Sequence, residues 1–176
     1  MGVWGNSFPQ PIVPSMNDTD ARHLRRAFAL AQTARDRGDR PFAAIVVAAD
    51  GTVLTEGMST QGSSGDGTLA HSEMNACQAV VRAGVAREVL TGATIYSSGE
   101  PCAMCAAAIF YTGIGRSVYG LSNDAVLALR NATPATAGLS LSCREVMASA
   151  ATPPVVEGPC LEEEAAVPHR GYWVSQ

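Results

Sequence analysis

The spacing of apolar residues changes along this chain, and each spacing predicts one kind of secondary structure. Between residues 19 and 38, apolar side chains recur three and four positions apart, which is typical of one face of an amphipathic helix. The members of this stripe are Leu24, Ala27, Phe28, Ala31 and Ala34. Thr19 is the predicted N-cap of the helix, and Gly38 is predicted to end it.

The next segments have the pattern of strands. A continuous apolar run from Ala43 to Ala48 is typical of a strand that is buried on both faces. Asp50-Gly51 is a hairpin turn signal, so residues 52–56 are predicted to return as an antiparallel strand. Further strands are predicted at residues 93–97, 117–119 and 155–156.

Helical patterns separate these strands. Four more helices are predicted, at residues 71–83, 101–112, 124–130 and 161–167. In the first of them, Met74, Cys77, Val80 and Val81 are predicted to share one face. The alternation of helices and strands with short connections predicts an α/β fold, a three-layer α/β/α sandwich around a mixed five-stranded sheet.

The domain organisation follows from length and composition. Residues 1–16 contain three prolines and little periodicity, and they are predicted to form a flexible N-terminal arm. Residues 17–176 are long enough to bury one hydrophobic core and are predicted to form a single domain. The Gly- and Ser-rich stretch 59–68 is predicted as a loop, and the conformation of 136–142 stays open.

Charge and cysteine content restrict the partners and the compartment. The net charge of −4 disfavours nucleic acid, whose binders usually carry a clustered basic face. No apolar run approaches the roughly 18 residues that a membrane helix needs, and the start lacks the pattern of a secretory signal. Five cysteines, an odd number, favour reduced thiols and therefore a cytoplasmic location.

Two short motifs carry the candidate chemistry. The first is His71-Ser72-Glu73, and the second is Pro101-Cys102-Ala103-Met104-Cys105. One His and two Cys are the ligand types of a zinc ion that keeps one position open for water. Glu73 stands beside the ligand His, where a carboxyl group can move protons for that water.

Both motifs are predicted to open helices. Helix N-termini favour the thiolate that zinc requires, and Cys102 and Cys105 are three positions apart, so they share a face. His71 and Glu73 are only two positions apart. They can converge only if His71 lies at the very start of its helix.

Other interpretations of these residues stay open at this point. The Cys pair could be a redox pair of the thioredoxin kind, which would leave His71 and Glu73 without a role. A structural zinc site would need a fourth ligand. His or Cys residues are available for it, but none has ligand spacing: His23, Cys77, Cys143, Cys160 and His169. The chain could also be a non-catalytic zinc-binding partner protein.

From about residue 21 to residue 124, the chain resembles the cytidine deaminase-like superfamily. The similarity is greatest to the branch of guanine deaminases, tRNA adenosine deaminases and fungal-type cytosine deaminases. The matching segments are Pro41-Phe42-Ala43-Ala44, Ala70-His71-Ser72-Glu73 and residues 98–106. The paired motif is the known signature of zinc deaminases. The resemblance implies the cytidine deaminase-like fold and a homodimer. It also implies one zinc ion bound by His71, Cys102 and Cys105, with Glu73 as the proton shuttle.

The substrate pocket is where the chain departs from this family. Many members have Gly-x-Asn before the loop, and their Asn holds the substrate base. Here the corresponding residues are Gly57-Met58-Ser59, and a hydroxyl cannot make the paired hydrogen bonds of an amide. Phe42, Ser59, Ala70 and Trp173 are the candidate substrate-binding residues. The change to Ser59 predicts a broader or shifted substrate range.

The sequence therefore predicts a zinc-dependent hydrolase that releases ammonia from a free nucleobase or a related amino-heterocycle, with a guanine-like purine as the leading substrate. The alternative substrate is cytosine or a related pyrimidine or triazine. A tRNA adenosine deaminase comes third, since the chain lacks the basic groups that grip an anticodon loop.

Overall fold

The computed structural model describes residues 16–131 and 139–173 of the chain. The helices are α1 (Asp18–Asp36), α2 (Ser72–Arg82), α3 (Arg87–Thr91), α4 (Ala103–Thr112), α5 (Asn123–Leu129), α6 (Cys143–Ala148) and α7 (Glu162–Ala165), followed by a 3₁₀ helix at Val167–His169. The strands are β1 (Ala43–Val47), β2 (Val53–Met58), β3 (Thr94–Gly99), β4 (Arg116–Leu121) and β5 (Val155–Glu157).

The strands form one mixed sheet in the order β2-β1-β3-β4-β5. β1 pairs antiparallel with both β2 and β3, so that Ala44 lies opposite Gly57 on one side and Ser97 on the other. β3, β4 and β5 run parallel. The mixed five-stranded sheet predicted from the sequence is confirmed for the described part of the chain.

Helices cover both faces of this sheet, because successive side chains of a strand point to opposite faces. Ala44 and Val46 face a core formed with α2, α4 and α6, whereas Ile45 and Val47 face a core formed with α1 and α7. All of β1 is buried, as its continuous apolar run predicted. The three-layer α/β/α sandwich is therefore confirmed.

The N-cap of α1 is Asn17 and not Thr19. The Asn17 side chain accepts a hydrogen bond from the backbone N–H of Asp20 at 2.9 Å, and the Asp20 carboxylate accepts one from the backbone N–H of Asn17 at 3.2 Å. This reciprocal capping box outcompetes a threonine hydroxyl two positions further on. Gly38 has a φ of +87° just beyond the helix, as its role in ending the helix required.

The buried face of α2 differs from the predicted one. Val81 is 61% exposed, while Ala76, Cys77 and Val80 are buried against the sheet. The prediction wrongly included Val81 in the buried face. Adjacent residues of a helix point in different directions around its axis, so Val81 does not share the direction of Val80.

Two short helices, α3 and α6, were not predicted, because five or six residues are too few to show a helical period. A local signal for α6 exists. Ser142 and Glu145 form a capping box, the Ser-x-x-Glu pattern that marks a helix start. The helix predicted at 161–167 is divided between α7 and the 3₁₀ helix.

Residues 1–15 of the predicted arm and residues 132–138 lie outside the described residues. Met16 packs against the core on the α1 side of the sheet. Within residues 16–131 and 139–173, no helix combines the length and the apolar character needed to cross a bilayer.

Close packing brings α2 against the sheet at the point where the first motif begins. A Cβ atom on Gly57 of β2 would lie 2.6 Å from the Ser72 carbonyl oxygen, so only glycine allows this approach. The first turn of α2 is thereby held against β2, and the helix packs on β2 and β1.

Candidate metal centre and adjoining cavity

The two motifs open neighbouring helices, as predicted. His71 is the N-cap of α2, with φ −71° and ψ 151°, and Cys102 is the N-cap of α4, with φ −65° and ψ 169°. The extended backbone at His71 changes the direction of the chain before the first helical turn. His71 and Glu73 can therefore point to one site although they are two positions apart.

Three side chains converge between these helix starts. The Nδ1 atom of His71 lies 3.6 Å from the Sγ atom of Cys102 and 3.5 Å from the Sγ atom of Cys105. The three potential ligand atoms all lie within 4.8 Å of one another. One imidazole and two thiols at this spacing fit a zinc ion, which takes nitrogen and sulfur ligands at about 2.0–2.3 Å.

None of the other cysteine or histidine candidates for a fourth ligand joins this group within the described residues. Cys77 and Cys143 are buried in the core on the α2 side of the sheet, as small core residues would be. His169 packs among aromatic rings instead. A set of three protein ligands is the set expected of a zinc site that keeps a position for water.

The charges of the ligands depend on one another. The pKa of Cys102 is lowered to about 4, because the Cys105 thiol and the His71 imidazole donate hydrogen bonds to its thiolate. The pKa of Cys105 is raised, first through its hydrogen bond with Cys102 and then by burial. The pKa of His71 is raised chiefly by its hydrogen bond with the Cys102 thiolate. One of the two thiols is therefore held as a thiolate, the form in which cysteine binds zinc.

Glu73 lies in the first turn of α2, and only 5% of its surface is exposed. Burial raises the pKa of its carboxyl group, since water cannot solvate the ionised form. The Ser72 hydroxyl donates a hydrogen bond to its Oε2 atom at 3.1 Å. A buried carboxyl group with a raised pKa at the edge of a cavity is suited to accept and return a proton.

A cavity of about 640 Å³ adjoins this centre, a size within the usual range for small-molecule sites. Its described walls include the candidate metal ligands His71 and Cys102, the carboxyl group of Glu73 and the ring of Phe42. Residues of α5 and of the segment that leads into α6 also line it. The metal centre and a space for a substrate thus meet at Glu73.

Of the four predicted substrate-binding residues, one lines the cavity and three do not. Phe42 lines the cavity, whereas Ser59, Ala70 and Trp173 lie outside the residues that line it. Ser59 is fully buried, and the Ala70 carbonyl accepts a hydrogen bond from the backbone N–H of Thr60 at 3.1 Å. Their roles toward a substrate stay predictions.

Trp173 belongs to an aromatic cluster behind Phe42. The His169 ring meets Phe42 edge-on with centroids 4.9 Å apart and stacks on Trp173 at 6.0 Å. The guanidinium of Arg130 lies 5.0 Å from the centre of the Trp173 ring. Burial lowers the pKa of His169 to about 4, so its ring is neutral at pH 7. The C-terminal segment thereby supports the cavity wall from outside.

Several cavity residues were missed by the sequence analysis. Glu100 accepts hydrogen bonds from the backbone N–H groups of Asn123 at 3.0 Å and Cys143 at 3.3 Å, which joins the metal motif to the starts of α5 and α6. Glu100 stands directly before Pro101 of the second motif, and this position could have marked it as a site residue in the sequence. Gln61 and Arg40 also line the cavity, and no local pattern marks either of them.

Comparison with known proteins agrees with this geometry. A family model for the cytidine and deoxycytidylate deaminase zinc-binding region matches residues 17–121, which include both motifs. The chain is also 36% identical, over 159 residues, to the probable cytosine deaminase of Schizosaccharomyces pombe. That match covers 90% of this chain and 94% of the yeast protein.

Solved structures share the fold. A guanine deaminase from Nitrosomonas europaea superposes with a TM-score of 0.71 at 20% identity, covering 93% of this chain and 88% of that one. A mutant of NE0047 in complex with 8-azaguanine superposes with a TM-score of 0.73 at 20% identity, covering 90% and 85%. With its paired motifs, its zinc-binding region and its fold, the chain is a hydrolytic deaminase and belongs to the cytidine and deoxycytidylate deaminase family.

Proposed function

We propose that this protein deaminates a free nucleobase or a related amino-heterocycle by zinc-dependent hydrolysis, with a guanine-like purine as the leading substrate. The observation that carries the proposal is Glu73. Its carboxyl group is buried, its pKa is raised, and it lines the same cavity as the metal ligands His71 and Cys102. A substrate ring in that cavity would lie beside both the carboxyl group and the metal site.

His71, Cys102 and Cys105 would hold the zinc ion. When bound, zinc lowers the pKa of a water molecule from 15.7 to about 7 and so supplies a nucleophile at neutral pH. Cys102 is the N-cap of α4 and Cys105 lies in its first turn, so one helix start carries both thiols.

Glu73 moves the protons of the reaction. It accepts one proton as water adds to the ring carbon that bears the amino group, and it delivers that proton to the adjacent ring nitrogen. It then transfers the second proton from the new hydroxyl group to the amino group. The carbon–nitrogen bond breaks, ammonia leaves, and the ring keeps a carbonyl group. Burial suits Glu73 to this work, because it raises the pKa of the carboxyl group and so favours the uptake of a proton.

The cavity supports a flat heterocycle as substrate. Phe42 offers an aromatic face at the wall, and its ring is held by His169 behind it. The guanine deaminase and the 8-azaguanine complex that share this fold support a purine. The loss of the family's Asn at Ser59 supports a range of bases that is broader than a single one.

Cytosine or a related pyrimidine is the second candidate, because the yeast protein that is 36% identical along nearly its full length is named a probable cytosine deaminase. A tRNA substrate is disfavoured by the net charge of −4. Pyrimidines and purines differ in ring size, so turnover rates measured on each base separate the two candidates.

The test is ammonia release from a panel that contains guanine, cytosine, adenine, oxo-triazines and a tRNA hairpin. We expect the wild type to act on at least one free base and Glu73→Ala to lose roughly 10²–10⁴-fold in kcat. Glu163→Ala, which alters an exposed glutamate of α7, is the control and should keep full activity. Turnover of the hairpin alone would exclude a free base, and no ammonia from any zinc-loaded sample would exclude the proposal.

Metal analysis tests the ligand set independently. We expect about one zinc per chain in the wild type and a sharp reduction in Cys102→Ala, since removal of one of three ligands weakens the site. Cys160→Ala alters a thiol outside the ligand group and should keep its zinc. Near-full zinc in Cys102→Ala would contradict the assignment.

We further propose a homodimer located in the cytoplasm. The family resemblance supports the dimer, and five free cysteines in the described residues support a reducing compartment. Light scattering coupled to size-exclusion chromatography tests the dimer, for which a mass near twice 18.2 kDa is expected.

A further inference from the structure

Two neutral amide side chains, Gln61 and Asn123, line the described walls of the cavity. Gln61 is the more enclosed, with 8% of its surface exposed. A buried amide beside a reaction site can recognise a substrate, because it offers a hydrogen-bond donor and an acceptor side by side.

The amide of Gln61 is held in one orientation. Its Nε2 atom donates a hydrogen bond to the Gly67 carbonyl oxygen at 2.8 Å, and its Oε1 atom accepts one from the Ser59 hydroxyl at 3.4 Å. Its backbone N–H in turn donates to the same hydroxyl at 3.4 Å. These bonds use one of the two amide hydrogens and one of the two oxygen lone pairs. One donor and one acceptor therefore remain for a ligand.

The loop around Gln61 is also anchored at several points. The fully buried Asp39 accepts hydrogen bonds from the backbone N–H of Gly62 at 2.9 Å and of Ser63 at 2.8 Å. On the other side of Gln61, Asn75 of α2 donates to the Thr60 hydroxyl at 3.1 Å. A group fixed in this way loses little entropy when it binds, which favours discrimination between substrates.

We infer that Gln61 recognises the lactam edge of the substrate ring, where a ring N–H stands next to a carbonyl group, and so determines substrate choice. The free N–H of Gln61 donates to the carbonyl oxygen, and its free lone pair accepts from the ring N–H. This inference rests on the proposed function. It gives Ser59 an indirect role as the residue that orients the Gln61 amide.

The substrate class follows from this pairing. Guanine, 8-azaguanine, cytosine and oxo-triazines have a lactam edge, whereas 2,6-diaminopurine and adenine do not. These two bases present an amino group and a ring nitrogen without hydrogen. The Gln61 amide cannot form the same pair of hydrogen bonds with them unless its oxygen and nitrogen exchange places. Rotation of the Gln61 amide would break its bond to Gly67. The enzyme should therefore prefer bases that have a lactam.

The experiment compares guanine with 2,6-diaminopurine in the zinc-loaded wild type and in Gln61→Met, which keeps the side-chain length but has neither donor nor acceptor. If cytosine is the better lactam substrate, it takes the place of guanine. A compound that is not turned over is measured by its inhibition constant. We expect Gln61→Met to lower kcat/KM for the lactam base roughly 10–100-fold and to change the value for 2,6-diaminopurine less than about threefold.

The control is Gln78→Met, which alters an exposed glutamine on α2 and should leave both values unchanged. Zinc content and melting temperature report whether Gln61→Met is folded. If it is not, Gln61→Glu keeps the shape but lacks the donor, and the same selective fall is expected.

An unchanged ratio between the two bases in a folded Gln61 variant would overturn the inference and leave the proposed function intact. If the wild type released no ammonia from any base, the proposed function would fail first. The two failures are therefore distinguishable.

Discussion

Two buried carboxyl groups, Asp20 and Glu73, lie at opposite ends of the parallel strands and have opposite properties. Asp20 lies where β3 and β4 begin, and the Arg116 guanidinium holds it with two hydrogen bonds of 2.7 and 2.9 Å. The Tyr96 hydroxyl donates to it as well, at 2.7 Å. Glu73 lines the cavity together with residues that follow the ends of these strands, and the Ser72 hydroxyl donates to it at 3.1 Å.

The pKa values follow from these partners. Burial alone would raise the pKa of Asp20, but its hydrogen bonds with Arg116 and Tyr96 outweigh burial and lower it to about 2. For Glu73 burial prevails, and its pKa is raised. Asp20 is therefore fixed as a charged structural group that ties α1 to β4. Glu73 keeps the freedom to exchange a proton, which is the property that the proposed reaction requires.

The largest expected effect is on catalysis at Glu73. Glu73→Gln should lower kcat by roughly 10²–10⁴-fold, because an amide cannot carry the proton, while the free energy of unfolding should not fall. Ammonia-release kinetics and urea unfolding on the same zinc-loaded sample measure both quantities. Activity within tenfold of the wild type would remove the contrast with Asp20.

The same change from carboxyl to amide at Asp20 should give the opposite result. Asp20→Asn would leave Arg116 and Tyr96 facing an amide, and we expect a loss of about 3 kcal/mol in the free energy of unfolding. The kcat of the folded fraction should be retained, since Asp20 is remote from the cavity. A variant as stable as the wild type would show that the cluster around Arg116 does not stabilise the fold.

Acid unfolding gives a smaller and more specific effect. The pKa of Asp20 in the folded protein is about 2, below the ordinary value of 3.8, so its contribution is present above about pH 4 and is lost as the pH falls toward 2. The contribution amounts to about 2 kcal/mol. The difference in unfolding free energy between wild type and Asp20→Asn should shrink over that range. A difference independent of pH would contradict the assignment.

The smallest expected effect belongs to an ion pair on the surface. Arg26 of α1 holds Glu56 of β2 with two hydrogen bonds of 2.8 and 2.9 Å, but the Arg26 side chain is 55% exposed. Arg26→Ala should therefore cost less than about 1 kcal/mol, and the loss should diminish in high salt. Arg22→Ala on the same helix is the control. A loss as large as that of Asp20→Asn would mean that burial is not what separates these pairs.

The prediction from sequence was most accurate where the structure depends on residues that are close together in the chain. The buried strand β1, the helix starts at both motifs and the convergence of His71, Cys102 and Cys105 follow from residue type and spacing. The N-cap of α1 was wrong by two residues, because a reciprocal capping box competed with a plausible threonine. The short helices α3 and α6 were missed, since their position depends on packing more than on period.

The sequence by itself determined which residues could hold a metal ion, since His71, Cys102 and Cys105 stand within two short segments whose helix starts fix their directions. Only the tertiary structure decided what surrounds them. Gln61 reaches the cavity through a loop anchored to Asp39, and Arg116 meets Asp20 across 96 positions of the chain. Such contacts depend on how the layers pack, and the spacing of residues along one segment does not specify that packing.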